Sequence, residues 1–292
     1  MQVKIKNLSH IFNKNSPWEF VALKGIDWSI VDGEYIGVIG ATGSGKTTLI
    51  EHLNGLLKPT SGSVEWEIVK DNVVNNWVYG ENGTKFKMKD IRKRIGIVFQ
   101  FAEYQLFKNT IKEDIAFGPI AFGVSKDEAY KRAKQCLLDV GLGEEYLERS
   151  PFELSGGQKR RVAIAGILAM NPDFMVFDEP TAGLDPVGVK EILDILTELH
   201  KKGKTIINVT HDLDHVLERA QKVVLLEKGK ISKYGEVYEI LNDVKLLKDN
   251  HLQPPQLLDF VNELREKGID VPRVTNIYEL ADFINNYRKE RR

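Results

Sequence analysis

The 292-residue chain has little of what marks out the specialised protein classes. It has one cysteine, Cys136, so no internal disulfide can form. A small buried thiol in a reducing compartment is the expected state. It has no long apolar run. The longest, Val162 to Met170, falls well short of the roughly 20 residues that a bilayer crossing needs. Met1 to Leu8 alternates charged and apolar residues and lacks the hydrophobic region of a secretory signal, so none is expected. Any membrane role must then come through partner proteins. Nor is there an excess of one charge: 41 Lys and Arg stand against 42 Asp and Glu, a net −1. That balance supplies no extended basic surface, and nucleic acid is not an expected partner. Internal repeats and low-complexity linkers are absent as well. What is there is 42% hydrophobic and 28% charged, enough for a buried core. The length suits one large domain, or a domain with an appendage.

Short strands with polar turns are expected over residues 3–34. Val3-Lys4-Ile5 alternates, and Gly25 to Ile30 alternates again before the turn Asp32-Gly33. Tyr35 to Ile39 is an apolar run suited to a buried strand, followed by a Gly/Ser/Thr loop and a helix from about Lys46. Residues 62–98 read as another β segment, because Val64 to Ile68 alternates. The polar stretch Asp71 to Lys89 within it reads as a surface hairpin insertion, with Asn82-Gly83 as its turn. From about 109 to 170 the spacing is helical: Lys126 to Val140 stops at Gly141, and Ser155 to Met170 stops at Asn171-Pro172. Strands and helices then alternate: Met175 to Phe177, Val187 to Lys201, Thr205 to Val209, Leu213 to Ala220, Val223 to Leu226. Such alternation predicts a mostly parallel sheet. Lys228-Gly229-Lys230 makes a tight turn, and residues 236–292 return to helix, broken at Pro254-Pro255 and Gly268.

Two segments carry chemistry. Gly40-Ala41-Thr42-Gly43-Ser44-Gly45-Lys46-Thr47 fits G-x-x-x-x-G-K-[ST] without mismatch, between a predicted strand and a predicted helix. Glycines let backbone N–H groups turn inward around a triphosphate, and the helix N-terminus adds partial positive charge. Lys46 is placed for the β- and γ-phosphates and the Thr47 hydroxyl for Mg²⁺, with Thr48 counted among the nucleotide-binding residues. The second segment, Phe174-Met175-Val176-Phe177-Asp178-Glu179, is an apolar strand ending in two carboxylates. Many strands end in exposed acids, but ligands of open α/β sheets sit at strand C-termini. Paired with the loop at 40–47, Asp178 suits the Mg²⁺ shell and Glu179 suits the attacking water.

Leu154-Ser155-Gly156-Gly157-Gln158 matches the signature of ABC-type ATPases letter for letter. The order Gln100, signature, Asp178-Glu179, Gly183-Leu184-Asp185 and His211 matches that family too. The resemblance covers roughly residues 1–235. It implies an α/β fold: a P-loop core with a mostly parallel sheet, an N-terminal antiparallel β subdomain and a helical subdomain over about 108–170, with residues 236–292 as a helical C-terminal extension. It implies ATP and Mg²⁺ as cofactors. It also implies that Ser155, Gly156, Gly157 and Gln158, at a helix N-terminus suited to anions, bind the γ-phosphate of a partner subunit's nucleotide. Two ATPase domains then sandwich two nucleotides. By the same resemblance Gln100 is a lid glutamine touching Mg²⁺, His211 a switch residue at the γ-phosphate, and Asp185 a loop aspartate reaching across the dimer. Phe12 stands where the family has an adenine-stacking aromatic; Phe20 competes for that role, and either ring would serve as core.

Phe99 to Phe107, Ile115 to Pro119 and Gly156 to Gly166 resemble the second of the two ATPases of energy-coupling-factor transporters. That narrower resemblance implies uptake of a vitamin or related micronutrient. The implied partners are a second, related ATPase forming a heterodimer through the C-terminal extension, a membrane-embedded coupling subunit and a small substrate-binding membrane subunit. The implied location is the cytoplasmic side of the cell membrane. The aromatics Phe101, Tyr104 and Phe107 suit a groove that receives a helix, with Glu103 for an arginine on it; packing of the helical subdomain is the alternative use of these rings. Other importer ATPases, for metal ions or amino acids, and soluble non-transport ABC ATPases are the competing readings. Neither sustained heptads nor a second set of motifs is there to favour the soluble class.

Overall fold

A computed structural model describes residues 1–70, 73–81 and 83–290. The chain runs through β1 (Gln2–Phe12), β2 (Phe20–Ile30), β3 (Tyr35–Ile39), α1 (Lys46–Leu53), β4 (Ser61–Lys70), β5 (Val73–Gly80), α2 (Met88–Arg94) and β6 (Ile95–Val98). Three helices follow, α3 (Ile111–Ala121), α4 (Lys126–Asp139) and α5 (Gly156–Leu168). Strands then alternate with helices: β7 (Phe174–Asp178), α6 (Pro186–Lys201), β8 (Thr205–Val209), α7 (Leu213–Arg219), β9 (Lys222–Glu227) and β10 (Lys230–Glu236). The tail is α8 (Val237–Leu241), α9 (Val244–Asp249), α10 (Gln256–Glu266) and α11 (Ile277–Glu290).

The strands form two sheets of different construction. Strands β2-β1-β4-β5 make an antiparallel sheet, and β10-β9-β3-β8-β7-β6 make a second sheet that is parallel apart from β10. Every residue of β3, β7 and β8 is buried. Continuous apolar runs are what strands covered on both faces require. One face packs on the antiparallel sheet through Leu8, Trp66, Ile36, Val38, Leu49 and Phe174. The Trp66 indole donates to the Leu53 carbonyl at 2.8 Å, tying that sheet to the end of α1. The other face packs on α3–α7, and this core continues into the tail through Leu241, Leu247 and Leu258. Only past that point does the tail form a core of its own, around Val261, Val271, Val274 and Leu280.

Most predicted elements are found within one or two residues. The β reading of 62–98 needs correction, because α2 lies inside it. Its only buried side chain is Ile91, so about two turns of helix give almost no periodic signal. Strand β4 pairs with β5 from Ser63 opposite Gly80 to Lys70 opposite Val73, so these two strands form a hairpin that starts before the predicted insertion, within the alternating segment. Residues 71 and 72, and Asn82, lie outside the described residues. Among the described residues no helix is long and apolar enough to cross a membrane.

Candidate functional site

Four neighbouring parallel strands deliver the candidate residues at their C-terminal ends. After β3 comes the loop 40–45, after β6 Gln100, at the end of β7 Asp178 and Glu179, and after β8 His211. The loop shape depends on glycine at two close approaches. Gly40 has φ 151°, and a Cβ there would lie 2.4 Å from the Leu226 carbonyl oxygen. Gly45 has φ 104°, and a Cβ there would lie 2.9 Å from the Ala22 carbonyl oxygen. Left-handed Gly45 is also the N-cap of α1 and offers no side chain to cap it. The first N–H groups of α1 are thus left for an anion. The Ser44 hydroxyl is buried without a hydrogen-bond partner, as suits a loop whose partner is a phosphate oxygen.

Lys46 folds back over the loop and donates to the carbonyls of Gly40 at 2.7 Å and Ala41 at 3.1 Å. Burial lowers its pKa; Glu179 and Asp178 oppose that. The Thr47 hydroxyl donates to Asp178 Oδ2 at 2.9 Å, joining loop and acid strand. Burial raises the Asp178 pKa, the Thr47 bond lowers it and Glu179 raises it. Glu179 has φ 48°, unusual for a side chain of its size, and its N–H donates to the Val209 carbonyl at 2.9 Å. Strain of this kind persists where the surroundings hold it, commonly at functional positions. The Glu179 carboxylate, 16% exposed, meets His211 Nδ1 at 2.9 and 3.0 Å from its two oxygens. The His211 ring itself is largely exposed.

The remaining predicted residues lie around this centre. Gln100 is exposed. Ser155 caps α5 in a reciprocal box: its hydroxyl accepts from the Gln158 N–H at 3.4 Å, and its N–H donates to Gln158 Oε1 at 3.0 Å. Gln158 also donates to the Tyr146 hydroxyl at 3.3 Å. The signature thus opens α5 at the surface and makes none of these bonds with residues 40–48. Asp185 caps α6 by accepting from the Gly188 N–H at 2.8 Å. Phe12 is half-buried, edge-on to His10 with ring centres 4.4 Å apart, and sits opposite the exposed Phe20 across β1 and β2.

One earlier expectation is overturned. The Glu103 carboxylate is not free for an incoming arginine, because Arg160 of this same chain holds it with a fork of two bonds. Tyr104 and Phe107 are exposed as expected, Tyr104 at 83%. Beside them runs a groove of about 360 Å³ lined by Phe99, Ala102, Gln105, Leu106, Phe117 and Ile167, and Asp114 is the carboxylate among its lining residues. Sequence patterns missed Arg160, since the middle residue of the basic run Lys159-Arg160-Arg161 reads as part of a solvated face. They also missed that Asp249 to His251 of the tail flank the phosphate loop across a small cavity with Ala41 to Ser44. No local pattern carries a contact made over 200 residues of separation.

The P-loop helix carries a buried histidine as well. His52 Nδ1 donates to the Thr48 carbonyl at 2.7 Å, and its ring lies edge-on to that of His10 at 4.8 Å. Burial pushes His52 down to about 4, with the Thr48 bond opposing. The unfolded chain takes up this proton near pH 6.5 and the folded chain only near 4. Between those values the unfolded state holds the extra proton, so stability is lost as the pH falls through that window. The loss from His52 between pH 7 and pH 5 is about 2 kcal/mol. Burial lowers His10 in the same direction. Urea unfolding at both pH values should therefore show a smaller acid loss in His52→Gln than in the parent; equal losses would contradict the assignment.

A phosphate loop bonded to an acid-ended strand at the C-terminal edge of a parallel sheet defines a P-loop ATPase cassette. The sequence pattern of the ABC transporter family matches residues 23–182. The energy-coupling factor transporter ATP-binding protein EcfA2 of Mycoplasmopsis synoviae is 61% identical over 98% of this chain and 96% of its own length. Its counterpart from Caldanaerobacter subterraneus is 45% identical over 98% of both. Among solved structures, cbiO1 from Clostridium perfringens, described as part of the ABC transporter complex cbiONQ, matches with a TM-score of 0.70 and 34% identity over 89% of this chain and 98% of that one. A post-hydrolysis dimer of the cassette MJ0796 bound to ADP and phosphate matches with a TM-score of 0.67 and 32% identity over 80% of this chain and 98% of that one. The chain belongs to the ABC transporter family, among the energy-coupling factor transporter ATP-binding proteins.

Proposed function

We propose that the chain binds and hydrolyses ATP as one of two ATPases of an energy-coupling-factor transporter that takes up a vitamin or related micronutrient. The observation that carries this is the Thr47–Asp178 bond, which sets the phosphate loop beside the Glu179–His211 pair. The ATP phosphates sit in the loop 40–45, on the open N-terminus of α1, where Ser44 and a redirected Lys46 gain partners. Adenine stacks on Phe12. Glu179 takes the proton from the oxygen of a water aligned with the γ-phosphate. His211 holds the Glu179 carboxylate in place until the γ-phosphate engages the imidazole. The oxygen donors Thr47 and Asp178, with the amide oxygen of Gln100, fit a hard cation that shares its shell with phosphates and water. Mg²⁺ bound there would neutralise charge on the β- and γ-phosphates.

Ser155, Gly156, Gly157 and Gln158 serve the nucleotide of a second ATPase, and Asp185 reaches across the same dimer. Exposure of the α5 N-terminus supports this, since it leaves that end accessible to an anion held by another chain. That second ATPase is a related but different chain, and residues 236–292, beyond the ATPase domain 1–235, help the two pair. A short helix of a membrane-embedded coupling subunit fills the groove lined by Gln105, Leu106 and Phe117, next along the chain from Tyr104. A small membrane subunit carries the substrate, and the pair works on the cytoplasmic side of the cell membrane. The domain division and these partners rest on the family's composition and on the exposed surfaces named.

Two measurements test this reading. ATP hydrolysis by the chain alone should be slow and should rise when it is assembled with its membrane partners; equal rates would contradict it. Tyr104→Ala removes an exposed ring whose centre lies 6.1 Å from that of Phe101. It should leave folding and ATP affinity unchanged and weaken recovery of the membrane subunit by about tenfold, the loss of one well-placed aromatic anchor. Normal recovery would place the helix elsewhere.

A further inference from the structure

A buried guanidinium outside the phosphate site joins three segments that the reaction needs. Arg160 belongs to α5, and its side chain is 2% exposed. Its Nε and one terminal nitrogen donate to the two Glu103 oxygens at 3.0 and 2.6 Å. The other terminal nitrogen donates to the backbone carbonyls of Pro180 at 3.0 Å and Ala182 at 2.7 Å. Its Cζ lies 5.8 Å from the Phe101 ring centre. Glu103 sits in the 3-10 turn Ala102–Gln105, whose first and last residues line the groove. Pro180 and Ala182 follow Glu179 directly and lead to Asp185.

We propose that Arg160, held by Glu103, is a positioning residue for hydrolysis: it locks the loop 180–182 to the groove-lining turn 102–105, so that the Glu179 carboxylate and the groove move as one piece. Two observations favour this over plain stabilisation. A buried ion pair contributes little net stability compared with apolar packing, and its best-attested use is to fix one arrangement among several. And Glu179 holds a left-handed backbone that its surroundings must maintain, with Arg160 gripping the carbonyl of the very next residue. A planar fork can bind a carboxylate on one edge and two carbonyls on the other; a lysine, with one nitrogen, cannot reach both sets. In a transporter, a helix pressed into the groove would then be felt at Glu179 through four hydrogen bonds.

The inference rests on Glu179 as the residue that handles the water, so Glu179→Gln is run beside the test variants. Steady-state ATP hydrolysis and thermal unfolding are measured on the transporter purified through this chain, for the parent, Glu103→Gln, Arg160→Lys and the double variant. Each single variant should lower kcat by about tenfold and shift KM by less than about threefold, because the phosphate contacts are untouched. The double variant should be no slower than the slower single one, as expected of residues acting as a unit. A kcat of Glu103→Gln close to the parent's would overturn the inference, and so would single losses that multiply. A lowered melting temperature with unchanged kcat per folded chain would assign the pair to stability alone, which also overturns it. Should Arg160→Lys fail to fold, Glu103→Gln decides, since its amide keeps the size of the carboxylate. If Glu179→Gln itself hydrolyses ATP normally, the catalytic assignment fails and not merely this coupling.

Discussion

Glu179→Gln in the assembled transporter is expected to keep ATP affinity and to lose hydrolysis by about 10²- to 10⁴-fold, the range for removing one general base. The substitution leaves a side chain of the same size at φ 48° and keeps an oxygen and an amide near His211 Nδ1. Phosphate contacts through residues 40–47 are not altered. What goes is the carboxylate placed to accept a proton from water, and the neighbouring acid Asp178 is bonded to Thr47. The state expected is therefore an ATP-bound, closed pair that does not turn over, seen as retained nucleotide without phosphate release. Turnover at the parent rate would remove Glu179 from the role.

Lys46→Ala should act one step earlier. Lys46 donates to the Gly40 and Ala41 carbonyls at the mouth of the loop, within the segment proposed to hold the triphosphate. Losing one charge-assisted contact to phosphate weakens ATP binding by about 10- to 100-fold, from roughly 1.5–3 kcal/mol per such bond. Ser155→Arg differs in kind. It fills the exposed cap of α5 without touching this chain's own phosphate loop, so ATP affinity of the chain alone should stay at the parent value while the assembled pair loses hydrolysis. Equilibrium titration with labelled ATP separates the two variants. Equal weakening by both would mean that the signature and the loop serve the same nucleotide, and the two-chain site would fall.

The centre of the site was legible in the sequence because its parts are local. Residues 40–47 form a loop whose backbone needs glycines at fixed steps, and Asp178-Glu179 closes a short apolar run of the kind that suits a buried strand. Burial of β3, β7 and β8 follows from the same runs. What was not legible depends on contacts between distant segments. Glu103 reads as an exposed acid among aromatics until Arg160, fifty-seven positions on, is brought against it. The α2 helix buries one side chain and leaves no periodic trace, and β10 alternates weakly because it is an exposed edge. Approach of Asp249 to His251 to the phosphate loop is set by how the tail packs on the large core, through Leu247 and Leu252. Phe12 and Phe20 face one another across a hairpin, so spacing alone leaves both available for adenine.

The central claim, that the chain is one of two different ATPases of a membrane transporter, is tested most directly by native mass spectrometry of the complex recovered from membranes through a tag on this chain. One copy of this chain, one copy of a different ATPase and membrane-spanning subunits in a single assembly is the result predicted. Two copies of this chain together, or this chain with no membrane protein, is the result that would contradict it.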